Sequence, residues 1–192
     1  MEEHEERREE YAYVLDYLTS GKSHSSRSEP LGQMMGEEKF TLLEATVKPG
    51  ATLAVGERVY IGKDERDKIL LIKSRITYDE LTTNAKGDLE ATVMKIIGAN
   101  EKRFVDVFNN AGPLNIREHA LQLLPGIGKK HLEAIIKARN EKMFESFADI
   151  SARIPQLQDP SRPIKERIIS ELKGDERFYM FTKPYRKIPG RF

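Results

Sequence analysis

The sequence predicts an α+β protein in several parts, a small antiparallel β-barrel followed by an all-helical unit. Three observations predict it. The first 76 positions carry short apolar and aromatic runs separated by Gly and Pro, the signature of brief strands and turns. From residue 77 onward apolar residues recur with the period of a helix face. Residues 123–130 then form a tight Pro- and Gly-bearing turn between two such stripes.

An acidic arm, residues 1–10, helical or frayed, comes first. Residues 11–18 are rich in aromatic and branched side chains and read as a strand. Residues 19–36, with serines, glycines and Pro30, read as a loop. Further strands are expected over 40–47, 58–61 and 68–73, with turns at Pro49-Gly50, Gly56 and Gly62-Lys63-Asp64. Such strands suit an OB-like barrel spanning residues 1–76. Barrels of this size bind single strands through aromatic and basic side chains, which makes Tyr11, Tyr13, Tyr17 and Tyr60 candidates for base stacking. Their alternation favours the other reading, half-buried strand residues.

Residues 77–112 read as connecting helices. Thr77 with Glu80 forms a capping box. Leu89, Val93, Ile96 and Ile97 make one apolar stripe; Phe104, Phe108 and Ala111 make another, with Val105 and Val107 alongside. A helix is expected next, capped by Asn115 and Glu118, with Ile116, Ala120, Leu123 and Leu124 on one face. Pro125 ends it, because the residue before proline is pushed out of the α region. Leu132, Ile135 and Ile136 start the next stripe, and Ile127 is placed to plug the gap between the helices. Residues 177–183 read as a strand returning to close or edge the barrel. Residues 184–192 form a basic, aromatic tail, open between nucleic-acid contact and no structure at all.

Composition narrows the function classes. The 192 residues are 39% hydrophobic and 33% charged, enough for a core and too apolar for a disordered chain. No apolar run reaches the ~18 residues that a membrane span needs. The opening Met1-Glu2-Glu3-His4-Glu5-Glu6 is acidic, unlike a secretory leader, so a cytoplasmic location is expected. The absence of cysteine excludes disulfides, thiol catalysis and thiolate metal sites. Residues 1–94 hold 13 Lys/Arg against 19 Asp/Glu and residues 95–192 hold 19 against 12, a net −6 beside a net +7. Asymmetry of this kind points towards nucleic acid.

The turn Leu123-Leu124-Pro125-Gly126-Ile127-Gly128-Lys129-Lys130 carries the chemistry. Gly126 and Gly128 leave their amides unshielded. A helix starting after them offers free N–H groups and a positive dipole end. Lys129 and Lys130 add charge, so the set suits a phosphate. This run resembles the hairpin of the helix–hairpin–helix family. The resemblance continues through Glu133–Arg139 as the second helix and Phe144-Glu145-Ser146-Phe147-Ala148-Asp149-Ile150 as the step into the next. Residues 113–173 thus resemble a tandem unit. Its second hairpin, Ile154-Pro155-Gln156-Leu157-Gln158-Asp159-Pro160 followed by a helix over 164–172, has lost its glycines. The resemblance implies a nucleic-acid site made of Gly126, Ile127, Gly128, Lys129 and Lys130. It also allows a monovalent cation on the hairpin carbonyls. Through Glu10–Tyr17 and Gly56–Lys63 the whole chain further resembles archaeal proteins of the DUF655 type, which implies a barrel joined to such a unit and nucleic-acid binding.

Other motifs fall away. Gly21-Lys22-Ser23 ends like a phosphate-binding loop, but the glycine required five residues earlier is Asp16. His4, His24, His119 and His131 form no ligand spacing. No carboxylate pair stands in an apolar context and no serine elbow is present, so no enzyme is expected. The expected partner is DNA or RNA, bound without regard to sequence. The alternative is a protein-interaction scaffold within a nucleic-acid-processing or ribosome-associated assembly.

Overall fold

Ten regular elements form in the order β1 (Tyr11–Leu18), β2 (Leu31–Gly36), β3 (Leu42–Val47), β4 (Arg58–Tyr60), β5 (Ile69–Arg75), α1 (Thr83–Ala99), α2 (Glu101–Asn110), α3 (Lys129–Glu141), α4 (Phe147–Arg153) and α5 (Ser161–Lys173), among the described residues. Single 3-10 turns stand at Tyr78–Glu80 and Ala120–Leu123. These come from a computed structural model that describes residues 9–21, 29–174 and 176–185.

The strands pair antiparallel in the order β4-β1-β2-β3-β5. The sheet curls but stays open, where a closed barrel was expected. Closure needs the two edges to pair. Here β4 is three residues long and, among the described residues, pairs only β1, while β5 pairs only β3. Irregular register between Val14 and Asp16 and along β3 bends the strands. One core cluster of the sheet joins Ala12, Val14, Met34, Leu43, Ala45, Val47, Leu53, Val59, Ile61 and Ile69.

Strand β2 lies inside the segment expected to be a loop. Gly32, Gln33 and Gly36 are poor strand formers; pairing on both sides holds Gly32 and Gln33 in place, and pairing with β1 holds Gly36. Gln33 is fully buried and explains how the next segment docks. Its Nε2 donates to Glu44 Oε1 and to the Glu80 carbonyl, each at 3.0 Å, and its Oε1 accepts from the Thr82 amide at 2.8 Å. Thr82 Oγ1 donates to the buried Asp16 at 2.6 Å and accepts from the Ala85 amide at 3.0 Å. The Thr77–Glu80 capping box forms as expected. A buried polar set of this kind costs little because each group is paired.

The chain separates into two compact units. One holds the sheet, residues up to Thr92, Leu172–Gly174 and the segment from Phe181; the other holds Val93–Glu171 and the segment ending at Met180. The division thins the charge asymmetry. The helical unit carries 14 Lys/Arg against 12 Asp/Glu, because Lys173, Lys183, Arg186, Lys187 and Arg191 fall outside it.

Two expected elements are absent from the described residues. No helix covers 115–124. Asn115 instead accepts from the Arg117 and Glu118 amides at 2.8 and 3.0 Å through its side chain, a local turn that competes with helix. Only Ala120–Leu123 makes a 3-10 turn, and its cap is His119, with Gln122 completing the box. No strand covers 177–183 either. Arg167 donates to the Phe178 carbonyl and Glu171 accepts from the Met180 amide at 2.7 Å, which uses the groups that a strand would pair. Beyond that point Arg75 donates to the Lys183 carbonyl at 2.6 Å and stacks on Tyr185, so the return is an irregular segment held at the end of β5. Most of the acidic arm, most of Gly21-Lys22-Ser23, His24 and tail residues 186–192 lie outside the described residues.

Candidate functional site

The predicted site residues come together at the start of α3. Leu124 is extended, at φ −76° and ψ 123°, as the residue before a proline must be. Its carbonyl accepts from the Ile127 amide at 3.1 Å, which closes a four-residue turn. Gly126 takes φ +82°, so Pro125 and Gly126 occupy the second and third positions of a type II turn, where proline and glycine belong. Ile127, 4% exposed, is buried, as are its neighbours in the chain Leu121, Leu124 and Ile135.

Gly128 is the N-cap of α3, extended at φ −86° and ψ −173° and without a side-chain cap. The first helical bond is Leu132 N–H to the Gly128 carbonyl at 3.0 Å. The amides of Gly128, Lys129, Lys130 and His131 therefore lie ahead of the ladder, and none has an acceptor among the described residues. A Cβ added at Gly126 or Gly128 would meet nothing within 4 Å. Lys129 and Lys130 are exposed, with no partner among the described residues. The result is an uncapped helix N-terminus, open to solvent and flanked by two free ammonium groups, which is the chemistry of an oxyanion seat.

The second turn has the same frame and a different end. Leu157 N–H donates to the Ile154 carbonyl at 2.8 Å, as Ile127 does to Leu124, and Ile154 and Leu157 are buried likewise. Gln156 stands where Gly126 does but lacks a positive φ, so the turn is not of type II. Asp159 Oδ1 accepts from the Ser161 amide at 3.0 Å, placing a carboxylate of the chain itself at the start of α5. The helix α4 is capped by Ser146, whose side chain accepts from the Asp149 amide. Of these three helix starts only that of α3 has no side-chain acceptor among the described residues.

Arginines fix the hairpin from behind. Arg167, 5% exposed, donates to the Leu123 carbonyl at 3.3 Å, to Glu171 at 3.0 Å, to Glu176 at 3.0 Å and to the Phe178 carbonyl. Arg139 donates to the Phe108 and Ala111 carbonyls at 3.0 and 2.8 Å, and Arg153 to those of Ala138 and Lys142, so each closes a helix C-terminus. His119 Nδ1 accepts from the Leu121 amide at 3.2 Å. Burial, then the Arg139 guanidinium, holds this imidazole below its ordinary pKa and so in the neutral form that can accept. Sequence reasoning missed His119 and Arg167; only an alignment of the capping box on His119–Gln122 rather than Asn115–Glu118 would have found the former.

The four tyrosine candidates do not form one open stacking surface. Tyr13 is buried, Tyr17 donates to the Ala51 carbonyl at 3.4 Å, and Arg58 lies 3.5 Å above the Tyr11 ring, covering that face. Tyr11 and Tyr60 meet edge to face at 5.3 Å. No group of three or more His, Asp or Glu among the described residues is placed to hold a metal ion, and no described helix is long and apolar enough to cross a membrane.

The chain with this open curled sheet and five helices matches known proteins over most of its length. The chain belongs to the family described as protein of unknown function (DUF655), whose model matches residues 8–183. It is similar to the uncharacterized protein MJ0038 of Methanocaldococcus jannaschii, at 44% identity over 91% of this chain and 80% of that one. It is also similar to the crystal structure of Af1531 from Archaeoglobus fulgidus, at 44% identity and a TM-score of 0.84, covering 91% of this chain and all of the other.

Proposed function

We propose that this protein binds DNA or RNA without regard to sequence and without catalysis, gripping the phosphate backbone at the α3 hairpin. The observation that carries the proposal is the difference between the two turns. Both share the apolar-Pro-x-apolar frame, yet one helix start holds Asp159 and the other is left open between Gly126, Gly128, Lys129 and Lys130. In this reading residues 113–173 are a helix–hairpin–helix unit whose first helix has shrunk to the 3-10 turn Ala120–Leu123, and the curled sheet is an OB-like half-barrel. The amides of Gly126, Gly128 and Lys129 meet one phosphate, and the two ammonium groups neutralise it and its neighbour. A monovalent cation fits the same turn. The carbonyls of Leu124 and Gly128 already accept helix or turn bonds, while those of Pro125 and Gly126 accept none among the described residues and would hold it. It would supply positive charge towards the phosphate.

The test is a salt titration of the full chain with single- and double-stranded DNA and RNA. With Lys129→Glu and Lys130→Glu together, the slope of log affinity against log salt falls by about 1.8, the loss of two phosphate contacts on B-form DNA. Unchanged affinity and slope overturn the assignment. A scaffold role has one observation of its own: β5 is an edge strand with Leu70 and Leu71 54% and 57% exposed. A protein that co-purifies after nuclease treatment would favour that role.

A further inference from the structure

The loop that precedes the hairpin presents Ile116 fully outward, with Leu114 beside it 39% exposed. Ile116, expected on a buried helix face, is 105% exposed, as open as in a free peptide. The loop that carries it is closed by backbone bonds. Ala120 N–H donates to the Gly112 carbonyl at 2.9 Å, Pro113 bridges His119, and Leu114 N–H donates to the Glu118 carbonyl at 2.8 Å. Asn115 holds the tip through its bonds to the Arg117 and Glu118 amides and donates from Nδ2 to the Glu118 carboxylate at 2.6 Å. The one acidic group of the tip is thereby bound to Asn115. The Arg117 guanidinium is exposed and has no partner among the described residues.

We infer that Ile116 is a wedge that enters a base step, with Arg117 on the adjoining phosphate, so that the partner is a base-stacked nucleic acid that the protein locally unstacks. The inference rests on the reading of the hairpin as a phosphate site and names what that site is attached to. A fully open aliphatic tip flanked by a polar and a cationic residue matches the side chains that unstack bases, where an apolar edge slides between two planes while charge meets the backbone beside it. A pocket on a protein would be matched by a wider apolar surface; here Asn115 separates Ile116 from the less exposed Leu114, and Arg117 follows it. Charge points the same way: Arg117, Lys129, Lys130 and Lys137 are all exposed cations without partners among the described residues, while Arg139, Lys142, Arg153, Arg162 and Arg167 are held by carboxylates or carbonyls of the same unit. Ten residues separate Ile116 from Gly126, at most about 36 Å of extended chain. That is roughly one turn of B-form duplex, so both contacts fall within one site.

The experiment uses the full chain and duplexes, one DNA and one RNA, with a single 2-aminopurine at a flexible pyrimidine–purine step. Its fluorescence rises when it loses its stacking neighbours. Wild type raises it severalfold in at least one duplex; Ile116→Ala removes the rise and weakens binding about tenfold without changing the salt slope; Ile116→Met keeps the rise. Because the side chain touches nothing in the fold, the variants remain folded, and circular dichroism checks this. Binding without any rise, or an undiminished rise with Ile116→Ala, overturns the wedge and leaves the phosphate site standing. No binding by wild type at low salt overturns both.

Discussion

Replacing Gly128 by aspartate should make the protein more stable and a poorer binder at once. The backbone there is extended, at φ −86° and ψ −173°, so any residue adopts it without strain, and a Cβ meets nothing within 4 Å. An aspartate at this N-cap accepts from the free amides two or three positions on, as Asp159 does from Ser161. Loss of glycine's freedom in the unfolded chain contributes about 0.4–1 kcal/mol. The carboxylate on the helix dipole contributes about 0.3–1 kcal/mol, and the cap itself a few tenths over glycine. Together this is about 1–2 kcal/mol, a rise in Tm of about 2–8 °C for a chain of this length. The amides that the aspartate takes are those proposed to hold phosphate. Losing a charge-assisted bond of about 1.5–3 kcal/mol weakens binding about 10- to 140-fold, and repulsion between carboxylate and phosphate adds to that. Calorimetry gives the first quantity and fluorescence anisotropy with a labelled oligonucleotide at low salt gives the second. A stabilised Gly128→Asp variant that binds like wild type would refute the phosphate seat; a destabilised one would refute the N-cap geometry.

Two further outcomes concern the groups behind the hairpin. Arg167→Met takes the guanidinium away from the carboxylate of Glu171, which is 2% exposed, and should cost about 3–5 kcal/mol in denaturant unfolding, with a smaller loss when Glu171→Leu accompanies it. His119 has a lowered pKa in the fold, so the unfolded chain takes up its proton first as pH falls below the ordinary value of about 6.5. Its contribution is whole above that value and is lost as pH drops through the folded value. His119→Asn keeps an acceptor at the cap and should flatten the decline in Tm between pH 7 and 5; equal declines in both proteins would count against the neutral-histidine cap.

Much of the path to the site was legible because its signals are local. Pro125 and Gly126 dictate their own dihedral angles, Leu124 is constrained by the proline that follows, and Thr77 finds Glu80 three residues on. The errors fall where partners are distant. Strand β2 exists because β1 and β3 pair with it, which Gly32 and Gln33 do not announce. The spacing of Ile116, Ala120, Leu123 and Leu124 is truly helical, but Asn115 captures two amides before a helix can start. The aromatic run 177–183 has strand composition, and Arg167 and Glu171 take its backbone groups.

By itself, then, the sequence determined the turn that carries the candidate site, the order of a strand-rich part and a helical part, and which residues surround the open amides. Those are consequences of backbone sterics and short-range periodicity, written within a few residues of where they act. Only the tertiary structure decided that the sheet stays open, that the helix start at Asp159 is filled while that at Gly128 is not, and that Ile116 faces solvent. Each of these depends on which hydrogen-bond partner a group reaches once the chain is folded, and that competition is settled by contacts between residues far apart in sequence or by one side chain winning over a helix.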